Sequence, residues 1–281
     1  VKTVTAAADL RNTVSAWREK GQRIGFVPTM GALHAGHLAL VDHARRNAGK
    51  VVVSVFVNPK QFGPGEDFER YPRDLDADAE KLRGAGADLL FAPTVGEMYP
   101  PGFATTVHVA GVSEGMEGAR RPGHFDGVAT VVARLLGLVL PDVAVFGQKD
   151  AQQCAVVMRL VKDLGLPVEV LVAPTVREND GLALSSRNSY LTPEERKAAP
   201  ALFRALLATQ LVYELGERKA GKVLKVFRLA IEAEPLFSLD TVDLVDAATM
   251  RPVETIDRPV LLAAAVKLGR TRLIDNVVFG G

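Results

Sequence analysis

Cysteine is almost absent: Cys154 stands alone among 281 residues. A single thiol cannot form an intrachain disulfide, which suits a reducing compartment. Two readings fit it. It is either a thiol nucleophile or a small residue packed in the apolar run "CAVVMRL", and the run favours packing. Net charge is nearly absent too, at +1. Without a basic excess, nucleic acid is not expected as a partner, and functional charge has to be local. Long apolar runs are missing. No stretch reaches the roughly 20 residues that span a bilayer, so no membrane is expected. The opening "VKTVTAAADLRNTVSAWREK" lacks the apolar centre of a secretory leader, and a cytoplasmic protein is expected. Repeats, low-complexity tracts and long linkers are also missing.

What is present suits a packed core: 48% of residues are hydrophobic and 24% charged. The length fits one large domain or two smaller ones. Strand-like runs at 23–28, 51–57, 88–93, 143–147 and 167–174 alternate with helical patterns at 37–48, 75–86, 125–141 and 150–165. "VVVSVFV" is nearly all apolar, as in a strand buried on both faces. The alternation predicts βαβ units: an α/β, Rossmann-like parallel sheet with helices on both faces. The character changes after about residue 176. "LTPEERKAAPALFRALLATQLVYELGE" opens with Thr192, Pro193 and Glu195 as a capping box and predicts one helix. A second helix at about 220–234 follows, then "TVDLVDA", "PVLLAAAVKLG" and "TRLIDNVVF" as a small antiparallel sheet. The expected division is residues 1–176 as the Rossmann-like domain and 177–281 as a smaller α+β domain against it.

Ligands of open parallel sheets bind beyond the carboxyl ends of the strands. Four polar segments fall at such ends or at the domain junction. In "TMGALHAGH" (29–37), Gly31 and Gly36 offer clearance for a ligand. A helix starting near His37 aims free N–H groups at the sheet, which makes an anion site. His34 and His37 can donate to phosphate oxygens and add charge if protonated. A metal site is an alternative, although no Cys or carboxylate completes a ligand set nearby. A third is two histidines that merely cap and pack a loop. His43, further along the helix, reads as a surface or packing residue.

In "VNPKQFGPGEDFERYPR" (57–73), Asn58 and Gln61 suit a hydroxylated or carboxylated substrate, although Asn-Pro is also an ordinary turn. Residues 63–73 read either as a mobile lid or as a plain surface loop. In "GQKDAQQ", Asp150 is placed as an N-cap and Lys149 beside the same helix end, where phosphate would find both. One of Gln152 and Gln153 should face the site. In "LSSRN" (184–188), Arg187 offers a bidentate fork. Ser185 and Ser186 have no local base and read as hydrogen-bond donors. "ARRPGHFDG" adds Arg120, Arg121 and His124, either as anion contacts or as a basic turn flanking a helix.

Taken in order, "FVPTMGALHAGH", "VSVFVNPKQF", "YPRDLDAD", "HFDGVATVV", "FGQKDAQQ", "PTVRENDGLALSSRNSYLT" and "TRLIDN" resemble the pantothenate synthetase family over almost the whole chain. His-x-Gly-His alone is shared by a wider nucleotidyltransferase superfamily; with "FGQKD" and "SSRN" it is specific. The resemblance implies an ATP-dependent ligase. Pantoate and ATP would give pantoyl adenylate and pyrophosphate; β-alanine would then give pantothenate and AMP. It assigns Met30, Gly31, Ala32, Leu33, His34, Ala35, Gly36 and His37 to ATP, with His37 as proton donor. Gly147, Gln148, Lys149, Asp150, Val176, Leu184, Ser185, Ser186 and Arg187 would complete the ATP site. His34 and Lys149 would hold phosphates.

On the same resemblance, Gln61 would contact pantoate and β-alanine, and Gln153 pantoate. Asn58, Tyr71 and Arg121 would support them. Mg²⁺ is expected on the phosphates, ligated mostly by substrate and water, and a homodimer is expected. "DLDAD" (74–78) is either an outer metal site or a charge cluster suited to a helix N-terminus. Many relatives have Glu where this chain has Gln148 and Met where it has Leu184. Two other readings stand beside the ligase: a nucleotidyltransferase acting on a phosphate-bearing substrate, and a catalytically silent nucleotide-binding scaffold.

Overall fold

A computed structural model describes residues 1–280. The chain runs β1 (Lys2–Val4), α1 (Ala7–Arg18), β2 (Ile24–Thr29), α2 (Ala35–Asn47), β3 (Lys50–Val55), α3 (Leu75–Gly84) and β4 (Leu89–Phe91). It continues through α4 (Val95–Met98), α5 (Met116–Arg120), α6 (His124–Val139), β5 (Val143–Gly147), α7 (Ala151–Asp163) and β6 (Glu169–Ala173). Then come α8 (Pro193–Ala198), α9 (Ala201–Glu214), α10 (Ala220–Glu232), β7 (Phe237–Asp246), β8 (Val260–Leu268) and β9 (Thr271–Phe279). Single 3₁₀ turns lie at Pro59–Gln61, Gln148–Asp150 and Ser186–Tyr190.

The first six strands form one sheet in the order β1-β4-β3-β2-β5-β6, with every pair parallel. The predicted parallel α/β sheet is present. After β2 the chain builds outward to β3 and β4, then returns to the other side of β2 for β5. The order reverses between β2 and β5, and a crevice opens at their carboxyl ends. The sheet is apolar because both faces are covered. Phe26 of β2 is fully buried, and its truncation to Ala would cost roughly 3–5 kcal/mol. Cys154 packs in this core; burial pushes its thiol up to about 12, so the packing reading holds.

Two local expectations are corrected, and one stretch carries elements that its pattern did not announce. The N-terminus carries β1 and α1; β1 is a three-residue edge strand with one buried residue, too short to show a period. The helix read as starting near His37 starts at Ala35, with His34 as N-cap. The single helix after Thr192 is two, because Pro200 cannot continue α8. The Thr192–Glu195 capping box is present.

The remaining strands form the antiparallel sheet β7-β8-β9, with α9 and α10 packed on one face. Its other face does not have a separate core. Val245, Met250 and Leu261 pack in the same cluster as Phe26, Val128 and Val156. Among the described residues, no helix is long and apolar enough to cross a membrane.

Candidate active site

The crevice is the mouth of a cleft of about 1320 Å³. It is lined by the ends of β2, β3 and β5, the loop 62–71, and the segment 182–190 across from them.

The turn after β2 is built by buried polar contacts. Asp78 of α3 accepts from the main-chain N–H of Ala32 at 2.9 Å and of Leu33 at 2.8 Å. Lys81 donates to the Leu33 carbonyl at 2.7 Å. Asp78 is therefore an anchor of this loop rather than part of an exposed charge cluster, while Asp74 does cap α3. Gly31 has φ +88°, and a Cβ there would lie 3.0 Å from Asp78 and Val55. At Gly36 a Cβ would lie 2.8 Å from the His34 ring. A side chain at either glycine would meet the protein itself, while the Gly36 main chain lines the cleft.

The two histidines form a reciprocal cap on α2. Nδ1 of His34 accepts from the Gly36 N–H at 3.1 Å. Nδ1 of His37 accepts from the His34 N–H at 3.3 Å. A ring accepting at Nδ1 carries its proton on Nε2 when neutral. Both are neutral: burial, then the charges of Lys149 and Lys81, lowers His34 to about 4. Burial, then His34, Lys149 and Lys81, lowers His37 to about 3. Two orphan helix N–H groups are in effect relayed outward as two Nε2–H donors on rings that line the cleft, 4.1 Å apart.

The turn after β3 positions Gln61. Asn58 is 1% exposed, and its amide donates to Gln61 Oε1 at 3.0 Å and to the Gly127 carbonyl at 3.1 Å. Its oxygen accepts from the Tyr99 hydroxyl at 2.7 Å and from the Lys60 N–H. Asn58 thus orients Gln61 and keeps no bonding capacity for a ligand. Gln61 Nε2 is left facing Met30 Sδ at 3.1 Å. Gly127 lets the turn approach; a Cβ there would sit 2.1 Å from the Lys60 carbonyl. His124, at the start of α6, donates from Nδ1 to the Gln61 carbonyl at 2.8 Å, so its Nε2 accepts from Arg121.

After β5, Gly147, Lys149 and Asp150 line the cleft, and Asp150 makes no side-chain cap. Gln153 also lines it, whereas Gln152 turns away and bonds the carbonyls of Val112 and Gly115. Gln148 faces β9 instead. Val176, Leu184, Ser185, Ser186 and Arg187 line the opposite wall, with the buried and unpartnered Thr175 hydroxyl beside them. Tyr71 is buried, which pushes its hydroxyl up, and it lines the cleft together with Ser186. Ala32, Leu33 and Ala35 shape the first turn without lining the cleft.

Two of the arginines that line the cleft are paired with carboxylates of one loop. Arg121 binds Glu66 with two bonds of 2.8 and 2.7 Å. Burial raises the Glu66 carboxyl, but the hydrogen bond and charge of Arg121 outweigh it and hold the group below its usual range. Arg187 reaches both Asp67 oxygens at 3.2 Å. Both carboxylates lie on the loop 63–73.

A family model described as pantoate–β-alanine ligase matches residues 2–278. The chain belongs to that family. A pantothenate synthetase from Moorella thermoacetica is 55% identical over 271 residues, covering 96% of each chain. The crystal structure of pantothenate synthetase from Thermus thermophilus has a TM-score of 0.93 at 54% identity, over 99% of both chains. A pantoate–β-alanine ligase from Francisella tularensis, solved in complex with beta-gamma ATP and β-alanine, has a TM-score of 0.80 at 31% identity, over 99% of this chain and 97% of that one. Pantoate–β-alanine ligase membership makes this chain a ligase and excludes a silent scaffold.

Proposed function

We propose that the chain joins pantoate to β-alanine at the expense of ATP through a pantoyl adenylate, working in the cytoplasm as a homodimer. The observation that carries this reading is the pair of neutral imidazoles with fixed Nε2–H donors, lining one cleft with Lys149, Gln61 and Gln153. The complex of the Francisella tularensis relative supports ATP and β-alanine as ligands.

A carboxylate repels an amine, so it must first be activated. A pantoate carboxylate oxygen attacks the α-phosphorus of ATP, the bond to the bridging oxygen breaks, and pyrophosphate leaves. Negative charge builds at phosphorus. His34, His37 and Lys149 are placed to stabilise it, and each such donor is worth on the order of 10²–10³ in rate. Arg187, Ser185 and Ser186 hold the nucleotide from the far wall, around Val176 and Leu184. Gln61 and Gln153, neutral and able to donate and accept, bracket pantoate. The unprotonated amine of β-alanine then attacks the acyl carbon, loses a proton, and AMP leaves. Residues 63–73 and 184–188 exclude water from the adenylate. Residues 177–281 act as the domain that closes over residues 1–176.

Among the described residues, no three His, Cys, Asp or Glu side chains come together as a metal cage. A magnesium ion would arrive on the nucleotide's phosphates, and Asp150, exposed at the cleft beside Lys149, would be a carboxylate able to hold it. Bound there, the ion would offset phosphate charge.

Pyrophosphate–ATP exchange tests the reading. Exchange is expected to need pantoate and to proceed without β-alanine. Exchange of equal strength with no acid present, or none with pantoate, would overturn it; the first result would favour a nucleotidyltransferase with another acceptor.

A further inference from the structure

β9 carries Asp275 and Asn276, both buried. The Asn276 side chain leaves the sheet and reaches the turn Gln148–Asp150. Its Nδ2 donates to the main-chain carbonyls of Gln148 and Lys149, each at 3.0 Å. Only the amide nitrogen can serve two carbonyls, so Oδ1 faces the other way. There it accepts from Gln148 Nε2 at 3.0 Å. The amide is fully engaged and has one orientation. The turn it grips has no side-chain cap of its own at Gly147 or Asp150. Lys149 is the middle residue of that turn and lines the cleft.

Asp275 holds the opposite wall. Its carboxylate pairs with Arg177 through two bonds of 2.5 and 2.9 Å. Arg177 also donates to the Gly181 carbonyl and lies 3.7 Å from the Phe203 ring centroid. Two adjacent residues of β9 thus reach both sides of the cleft.

We propose that Asn276 is a positioning residue for the ligase reaction. It sets the main chain of the turn that carries Lys149, so that the ammonium meets the phosphates without Asn276 touching substrate. This rests on the reading of Lys149 as a phosphate ligand given above. A shift of about 1 Å in a reacting group can cost on the order of 10²-fold in rate. Asn276→Asp keeps the shape and the oxygen but loses both donors.

The test is single-turnover adenylate formation from pantoate and ATP, measured in a double-mutant cycle with thermal midpoints alongside. Lys149→Ala is expected to slow the step by about 10²-fold or more. Asn276→Asp is expected to slow it by about 10–10²-fold, and to add less than about threefold in the Lys149→Ala background. If Asn276→Asp does not fold, Gln148→Leu cycled against Lys149→Ala reads the same coupling through the oriented amide. Losses that fail to multiply support the proposal. A wild-type rate for Asn276→Asp, or losses that multiply while Lys149→Ala alone is slow, overturn the positioning role by itself. A wild-type rate for Lys149→Ala removes the phosphate role of Lys149, and the inference with it.

Discussion

At the scale of single residues, the decisive feature is the protonation of the two histidines. Each ring accepts a hydrogen bond from a backbone N–H at Nδ1, so each offers an Nε2–H to the cleft and no charge. A proton donor needs a proton to give. A polyanion bound beside the rings would raise both pKa values. A second proton would have to go to Nδ1, which already accepts a backbone N–H, so the proposed donors act as neutral rings through Nε2–H. The same geometry has a cost in the empty protein. Below about pH 6.5 the unfolded chain takes up protons that the folded chain refuses until about pH 4 at His34 and about pH 3 at His37. Stability is untouched by the pair above pH 6.5 and falls as the pH drops through that window, by up to about 1.4 kcal/mol per pH unit at the buried His37 and by less at the partly exposed His34. Urea unfolding between pH 7 and 5 should show this loss in the wild type and a shallower one in His37→Gln; equal slopes would refute it.

At the scale of elements, the loop 63–73 is tied to both walls of the cleft. Arg187 holds Asp67, Arg121 holds Glu66, and Tyr71 meets Ser186. Asp67 occupies only Nη2 of Arg187, so an anion that takes that nitrogen displaces the carboxylate. Asp67→Ala is expected to tighten ATP binding a few-fold, a gain of about 1 kcal/mol or less because the pair is partly exposed. Calorimetric titration checks this, and weaker binding would show that Asp67 helps to hold the nucleotide.

The same elements show what could be read from sequence. β2, β3 and β5 were legible because strands buried on both faces are continuous apolar runs. His34, Gln61 and Lys149 were legible because polar residues directly after such runs mark a parallel sheet's open end. Their supports were not. Asp78 acts on Ala32 across 46 positions, Asn58 on the Gly127 carbonyl across 69, and Asn276 on Gln148 across 128. No local pattern announces a buried carboxylate or amide whose partner lies on another element. Pro200 did carry a local signal, but the helical run on either side of it masked the break.

At the scale of the whole molecule, the two sheets share a core. Val245, Met250 and Leu261, from β7, β8 and the turn between them, pack with residues of the parallel sheet and its helices. A chain whose lobes were independent would unfold in two steps. Scanning calorimetry is expected to show one transition, and a fragment of residues 1–176 to melt well below the full chain; two resolved transitions would favour separable domains. The arginine–carboxylate pairs of the cleft have a consequence at this scale too. If substrate anions bind at Arg121 and Arg187 as proposed, their binding is an ion exchange, with an internal carboxylate released where an external anion is taken up. The number of ion pairs at the guanidinium groups stays constant, so the ionic-strength dependence of nucleotide affinity will be weaker than bare arginines would give. Before that exchange Glu66 and Asp67 serve as counter-ions to Arg121 and Arg187 inside the cleft, so those two guanidinium groups add little to the long-range field of a chain whose net charge is +1.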